Sequence, residues 1–362
     1  LYVTGKIEDM VGNEYEVSAD ASWKCIIDRN VTFYREEERF APLVIHEHTE
    51  GNPAVFGWRG IPYDDSRWQQ AKPYIRKLVP EAVSPGNLKP RNIPYMYRKK
   101  GRFGRIISLR KSAHTQEEWE TFLRGEQALT IPAYTEAIVE LDAGEETTGY
   151  IKAAFSYGKN AEVSLLYSES YVQDGFAGPE HIPVKADRTD KENGHLNGYE
   201  DTYRVAGMGT EEKPETYEPY WFRTFRFIRL RMKTEEEPLT LRGLEYEETG
   251  YPLEVASSVR TSDKSLREIW EISERTLRRC MHETYEDCPF YEQLQYIMDA
   301  RVQILYTYAV SADDRLARKC MDDLRRSQRY DGVLNCSYPN CNTNVIPGFS
   351  IYYILMVYDH MM

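Results

Sequence analysis

Asp287-Cys288-Pro289-Phe290-Tyr291-Glu292-Gln293-Leu294-Gln295-Tyr296-Ile297-Met298-Asp299-Ala300-Arg301 is the stretch on which the fold of this chain turns. Proline is tolerated in the first turn of a helix, so Asp287-Cys288-Pro289 reads as the end of one helix and the opening of another, about twenty residues long. Glu292 and Asp299 stand seven residues apart, two helical turns, and are expected to share a face. Gln295 falls between them and Gln303 extends the row. Tyr291, Leu294, Met298, Val302, Leu305 and Ala309 form an apolar stripe about 110° away. Tyr296, Ile297, Ala300, Ile304 and Thr307 leave much of the remaining surface uncharged too. A helix apolar nearly all round is expected to be buried.

Such a helix would bury two carboxylates with no Lys or Arg on their stripe, and Asp287 adds a third just before it. Unpaired buried carboxylates are costly or titrate to neutral, and they are tolerated mainly where they serve a function. Cleavage of a glycosidic bond needs a carboxyl that is protonated near neutral pH, with further carboxylates to hold sugar hydroxyls. The competing reading is plain: Asp287 is only a helix cap, and Glu292 and Asp299 face water. Spacing alone leaves the two readings level.

Outward from this stretch, the period of the apolar positions is 3.6 from about residue 257. Ser262 or Asp263 is placed to cap a helix running to about Glu283, with Leu266, Ile269, Trp270, Ser273, Leu277 and Cys280 on one side. Asp313 or Asp314 opens a third helix closed by Asp331-Gly332, Asn335–Val345 is a loop, and a fourth helix starts near Pro347. Paired helices following strand-rich sequence suggest the start of a helical barrel. Before residue 257 the period is two. Residues 1–112 read as one β-sandwich, with turn residues such as Pro85-Gly86-Asn87 between its strands. Residues 113–127 read as a charged connector holding a short helix around Gln116–Arg124, and residues 128–256 as a second sandwich. Within the latter, Glu162–Tyr167 and Phe225–Arg231 alternate as half-buried strands do. Asp187, Asp190 and Asn193, in a polar loop at 174–200, miss the spacing of a calcium loop and read as solvated. His46 and His48 around Glu47 read as a strand edge rather than a metal site. No metal and no cofactor is expected.

Composition narrows the partners. The 362 residues carry 58 Asp and Glu against 46 Lys and Arg, a net charge of -12, which argues against nucleic acid and anionic membrane surfaces. No apolar run approaches the ~20 residues that span a bilayer. The first residues read as a strand running into a turn, with no initiator Met and no signal pattern, so the true start is expected to lie earlier. Six cysteines scattered over this length read as free buried thiols rather than a disulfide framework, with closeness in space of Cys336 and Cys341 the alternative. A soluble protein of the bacterial cytoplasm or periplasm fits these features, and compartment stays open between them.

The acidic stretch resembles the signature of bacterial α-L-rhamnosidases of glycoside hydrolase family 78. Ser22-Trp23-Lys24-Cys25, Pro90-Arg91-Asn92-Ile93-Pro94, Leu141–Tyr150, Trp221–Phe227 and Ile346-Pro347-Gly348-Phe349-Ser350 are similar to the same family, so the likeness runs over nearly the whole chain. The resemblance implies jelly-roll-like sandwiches leading into an (α/α)6 barrel that begins at 257–362. It also implies a six-hairpin glycosidase that hydrolyses terminal α-L-rhamnose from rhamnosides with inversion and without cofactor. Glu292 aligns with the family's general acid, and Asp287 and Asp299 with carboxylates that hold the sugar.

No residue here matches the family's general base, a Glu on a later barrel helix. The 105 residues after position 257 give room for about four helices, so the chain is expected to be the front of a longer protein and inactive alone. Met298 stands where the family usually has Gly, and Tyr352 and Tyr353 where an aromatic platform, often Trp, is expected. Two other readings remain: a non-catalytic carbohydrate-binding protein, and a barrel glycosidase for another sugar. The expected partner is a rhamnose-containing glycan or glycoside, and association into a homo-oligomer through β-faces is left open.

Overall fold

In the computed structural model, residues 4–35, 45–60, 62–72, 90–173 and 187–362 are described. The turn expected at Pro85-Gly86-Asn87 and residues 174–186 of the polar loop lie outside them. The chain divides into two compact units, one of residues 1–31 and 52–90, the other of residues 32–51 and 91–362. In the first, strand Thr4–Glu8 pairs antiparallel with Glu14–Ser18, and Lys24–Cys25 pairs with Gln69–Gln70. Asp9 closes the first hairpin by accepting from the Val11 and Asn13 N–H groups, both at 2.9 Å.

The second unit is built on a sheet of eleven strands. Its longest strand, Glu136–Tyr157, changes partners midway. Glu136–Asp142 lies between Arg223–Lys233 and Arg105–Arg110, while the half from Gly149 pairs with Leu239–Gly250 and Glu215–Tyr217. The register breaks between Asp142 and Thr147, where Gly144 takes a φ of +93° that a side chain would resist. Apolar side chains from both halves, among them Val139, Leu141, Ile151 and Phe155, meet in one core with Phe225, Leu230, Leu239 and Leu241.

Four described strands from residues 1–112, the span expected to form the first sandwich, lie in this sheet instead: Val31–Arg35 beside Ile45–Glu50, Ile45–Glu50 with Tyr199–Arg204, Tyr97–Gly101 with Leu239–Gly250, and Arg105–Arg110 with Glu136–Tyr157. Period-two alternation marks a strand but not its partner, which is chosen by contacts distant in sequence. The connector also differs from the expectation of a charged spacer. Its helix, α1 (Gln116–Leu123), is capped reciprocally by Thr115 and Glu118, and Trp119 and Phe122 are buried in the sheet's core. Nor is Glu162–Ser168 half-buried. Val163, Leu165 and Tyr167 face the main core, and Leu166 packs with Tyr171 and Leu196 from a small hairpin on the other side.

Helices occupy the end of the chain: α2 (Lys264–Arg279), α3 (Ile297–Val310), α4 (Arg315–Arg326) and α5 (Pro347–Met361). Asp263 caps α2 by accepting from the Ser265 N–H at 2.9 Å. This helix ends at Arg279 with Cys280 as its cap, before the expected Glu283, and of its expected apolar side Leu266 and Ile269 are exposed while Leu277 and Cys280 are buried. Helix α4 stops at Arg326, short of the left-handed Gly332. Helix α5 begins at Pro347, the position sequence points to. Leu277, Ile297, Ala300, Ile304, Leu316, Cys320, Leu324 and Met356 form the helices' common core. Among the described residues, no helix is long and apolar enough to cross a membrane.

Candidate active site

The segment between α2 and α3 carries the acidic signature, and it is not helical before Ile297. The helix expected to open at Pro289 starts eight residues later. Local hydrogen bonds compete for the backbone groups a helix needs. The Asp287 N–H donates to the Leu294 carbonyl, and the Leu294 N–H returns to Asp287 Oδ1, both at 3.0 Å, closing an eight-residue loop. Inside it the Gln293 N–H donates to the Cys288 carbonyl at 3.1 Å, and Gln293 adopts a left-handed φ of +50°. Gln295 is not part of a carboxylate row. It is buried, accepts from the Tyr285 N–H at 3.3 Å and donates through Nε2 to the Tyr338 carbonyl at 2.8 Å. Gln303 donates to the Glu286 carbonyl at 2.6 Å.

The expectation that Glu292 and Asp299 share a helix face is therefore corrected. Glu292 sits in the loop turn, half-buried, while Asp299 sits half-buried in the first turn of α3, where the helix N-terminus favours a negative charge. The buried face of α3 is also rotated from the expected stripe. It carries Ile297, Ala300, Ile304 and Thr307, whereas Met298, Val302 and Leu305 are exposed. Asp287 is not a helix cap but the clasp of the loop.

Asp287 and Glu292 are brought within electrostatic reach of each other. Burial pushes the Asp287 carboxyl up to about 6, the Glu292 charge adds to the rise, and the hydrogen bond from Leu294 opposes it. Burial, a hydrogen bond to Glu292 and that residue's charge likewise push the Tyr296 phenol up. Burial and then the charge of Asp287 raise the Cys288 thiol to about 11. Among the described residues, no Lys or Arg pairs with Asp287, Glu292 or Asp299. Behind the loop, His282 Nδ1 lies 3.2 Å from Glu286 Oε2, both residues buried, and burial raises the Glu286 carboxyl against the pull of His282.

The remaining expectations resolve as follows. Asp187 and Asp190 accept hydrogen bonds from Thr189 and Asn193 within their own turns, and the described residues contain no group of three metal-ligating side chains. His46 and His48 lie on the strand Ile45–Glu50. Cys336 and Cys341 are free, as are the other four cysteines. Tyr352 and Tyr353 pack against the helical core, and the Tyr353 hydroxyl donates to the Met321 carbonyl at 3.2 Å. Sequence reasoning missed the residues that hold the loop from the sheet, Trp221, Phe222 and Thr224. Their signal was the stretch Trp221–Phe227, which resembles the family but carried no role for its members.

Residues 254–358 match the model of the bacterial alpha-L-rhamnosidase 6 hairpin glycosidase domain. An α-L-rhamnosidase from Dictyoglumus thermophilum shares the fold with a TM-score of 0.64 at 18% identity, over 99% of this chain and 35% of its own. The Streptomyces avermitilis α-L-rhamnosidase complexed with L-rhamnose gives a TM-score of 0.58 at 16% identity, over 95% and 28%. A rhamnosidase from Klebsiella oxytoca with rhamnose bound gives 0.55 at 15%, over 75% and 53%. At these identities the likeness is one of fold, that of a β-rich chain with a large sheet and five described helices. The chain spans between 28% and 53% of those three proteins. No curated protein matches it.

Proposed function

We propose that this chain, whose residues 254–358 match the model of the bacterial alpha-L-rhamnosidase 6 hairpin glycosidase domain, forms the front part of an inverting hydrolase that releases terminal α-L-rhamnose from rhamnosides. Glu292 is the general acid, and Asp287 and Asp299 hold sugar hydroxyls. The observation that supports this reading is the placing of Asp287 and Glu292 in one half-buried loop, where the charge of Glu292 adds to the cost of ionising Asp287 and, among the described residues, no Lys or Arg pairs with either. A carboxyl so placed suits proton delivery to the glycosidic oxygen, and sugar hydroxyls supply the donors its neighbours lack. The base that activates water comes from a segment outside this sequence, and its carboxyl stands about 6.5–9.5 Å from that of Glu292 to admit the water. The helices from about residue 257 are the first of an (α/α)6 barrel.

The test is the anomeric form of the first product. Proton NMR during hydrolysis of an aryl α-L-rhamnoside by the intact protein is expected to show β-L-rhamnose before mutarotation. First appearance of the α-anomer contradicts the single-displacement mechanism, and no hydrolysis of any rhamnoside contradicts the substrate.

A further inference from the structure

The loop that carries Glu292 is gripped from the sheet side at two points by residues at the head of the strand Arg223–Lys233, and a third residue there holds the segment just before it. Phe222 stacks on His282 with ring centroids 4.0 Å apart and planes 11° from parallel. Thr224 Oγ1 donates to the Pro289 carbonyl at 2.5 Å. Trp221 Nε1 donates to Gln293 Oε1 at 2.7 Å. Gln293 is held at its other end by Nε2, which donates to the same Pro289 carbonyl at 2.8 Å. The indole thus bonds the residue next to Glu292, in the one left-handed position of the loop.

Trp221 is nevertheless 48% exposed. Its N–H is satisfied by Gln293 and its ring packs on Phe222 with centroids 5.0 Å apart, so it cannot turn inward without breaking those contacts, and about half of the residue is left in water. Tyr220 and Tyr291, beside it in sequence and beside Glu292, are exposed too. A large ring already immobilised loses little entropy on stacking, which makes it a good platform for another ring. Its place defines the occupant. A general acid protonates the oxygen that departs, so rings around the acid's loop meet whatever is attached to that oxygen.

Resting on the assignment of Glu292 as the acid, we propose that Trp221 is a specificity-determining residue whose ring stacks on a ring-bearing leaving group while its N–H fastens the acid's loop to the sheet. The intact protein and its Trp221→Ala and Trp221→Phe variants would be assayed on three substrates: p-nitrophenyl α-L-rhamnoside, a rhamnosyl-glucoside and methyl α-L-rhamnoside. The quantity that decides is kcat/KM for each ring-bearing substrate divided by that for the methyl glycoside. Trp221→Ala is expected to lower both ratios about threefold to tenfold, the range that stacked aromatic pairs contribute. Trp221→Phe keeps a ring but not the N–H, so it is expected to preserve the ratios while lowering kcat on all three. Unchanged ratios in a folded Trp221→Ala protein overturn the platform. An equal fall on all three substrates does the same and leaves Trp221 only its hold on the loop. A wild type inactive on every rhamnoside sinks the rhamnosidase reading instead. Calorimetric titration of Glu292→Gln and of Glu292→Gln/Trp221→Ala with the aryl and methyl rhamnosides then reads the platform with turnover suppressed: equal affinities of the two proteins for the aryl rhamnoside overturn it.

Discussion

The sheet and the loop after α2 both bury carboxylates, and they treat them in opposite ways. In the sheet, Asp142 is 2% exposed and holds Arg105 at 2.8 Å and Arg226 at 3.1 Å. Burial raises its carboxyl, but Arg226, the Gly144 N–H and Arg105 together keep it below the usual range. Asp201, fully buried, receives Arg223 through two nitrogens at 2.8 and 2.6 Å. Among the described residues no Lys or Arg pairs with Glu47; the Tyr220 N–H and the Tyr217 hydroxyl donate to it at 2.9 and 3.1 Å, yet burial and the charge of Asp201 still raise its carboxyl, as burial and Glu292 raise Asp287. In the loop, Asp287 meets the Leu294 N–H and the charge of Glu292. Arginines hold Asp142 and Asp201 in the sheet, whereas among the described residues no Lys or Arg pairs with Asp287 or Glu292 in the loop. That difference, more than the number of acids, separates a structural carboxylate from one poised for a ligand.

Breaking the sheet's side of the contrast should give the largest effect on stability. Asp201→Ala strands Arg223 in the core and is expected to cost about 3–5 kcal/mol in denaturant unfolding; a cost near zero would mean that Arg223 finds water. The loop should respond in the other sense. The Asp287 carboxyl in the folded chain titrates at about 6, above its ordinary 3.8. The folded state therefore binds a proton more readily than the unfolded one, and the stability this confers is full below about pH 4 and lost as pH rises to about 6. Asp287→Asn removes that slope. Its melting temperature relative to wild type is expected to climb between pH 4 and 6 and to level off above, as followed by circular dichroism. A flat difference would contradict the unpaired state of Asp287. The smallest effect is expected from Arg105→Ala. Its side chain is mostly exposed and Arg226 still holds Asp142, so the loss should stay under about 1 kcal/mol.

Some of this was legible in the sequence and some was not, for physical reasons. Helix starts were legible where a local residue sets them: Asp263 caps α2, and Pro347 opens α5; the Thr115–Glu118 capping box of α1 was not read from the sequence. The acids of the site were legible as residue types, and the family model covers all three positions. Their arrangement was not. The loop closed by Asp287 and Leu294 defeats a helix that periodicity favours from Pro289 onward, and side chains distant in sequence, Gln303 and Trp221, help to hold it. The pairing of Ile45–Glu50 with Tyr199–Arg204 joins strands about 150 residues apart, which no local pattern records. Exposure of Met298, Val302 and Leu305 on α3 was hidden for the same reason, since an apolar stripe states what a helix can bury and not which side its neighbours take.

The account stands most directly on Glu292. Hydrolysis of p-nitrophenyl and methyl α-L-rhamnosides by the intact protein and by Glu292→Gln is the measurement to make. Loss of the general acid should lower kcat about 10²–10⁴-fold on the methyl glycoside, whose leaving group needs the proton, and less on the nitrophenyl one. A Glu292→Gln protein as active as wild type on both would contradict it.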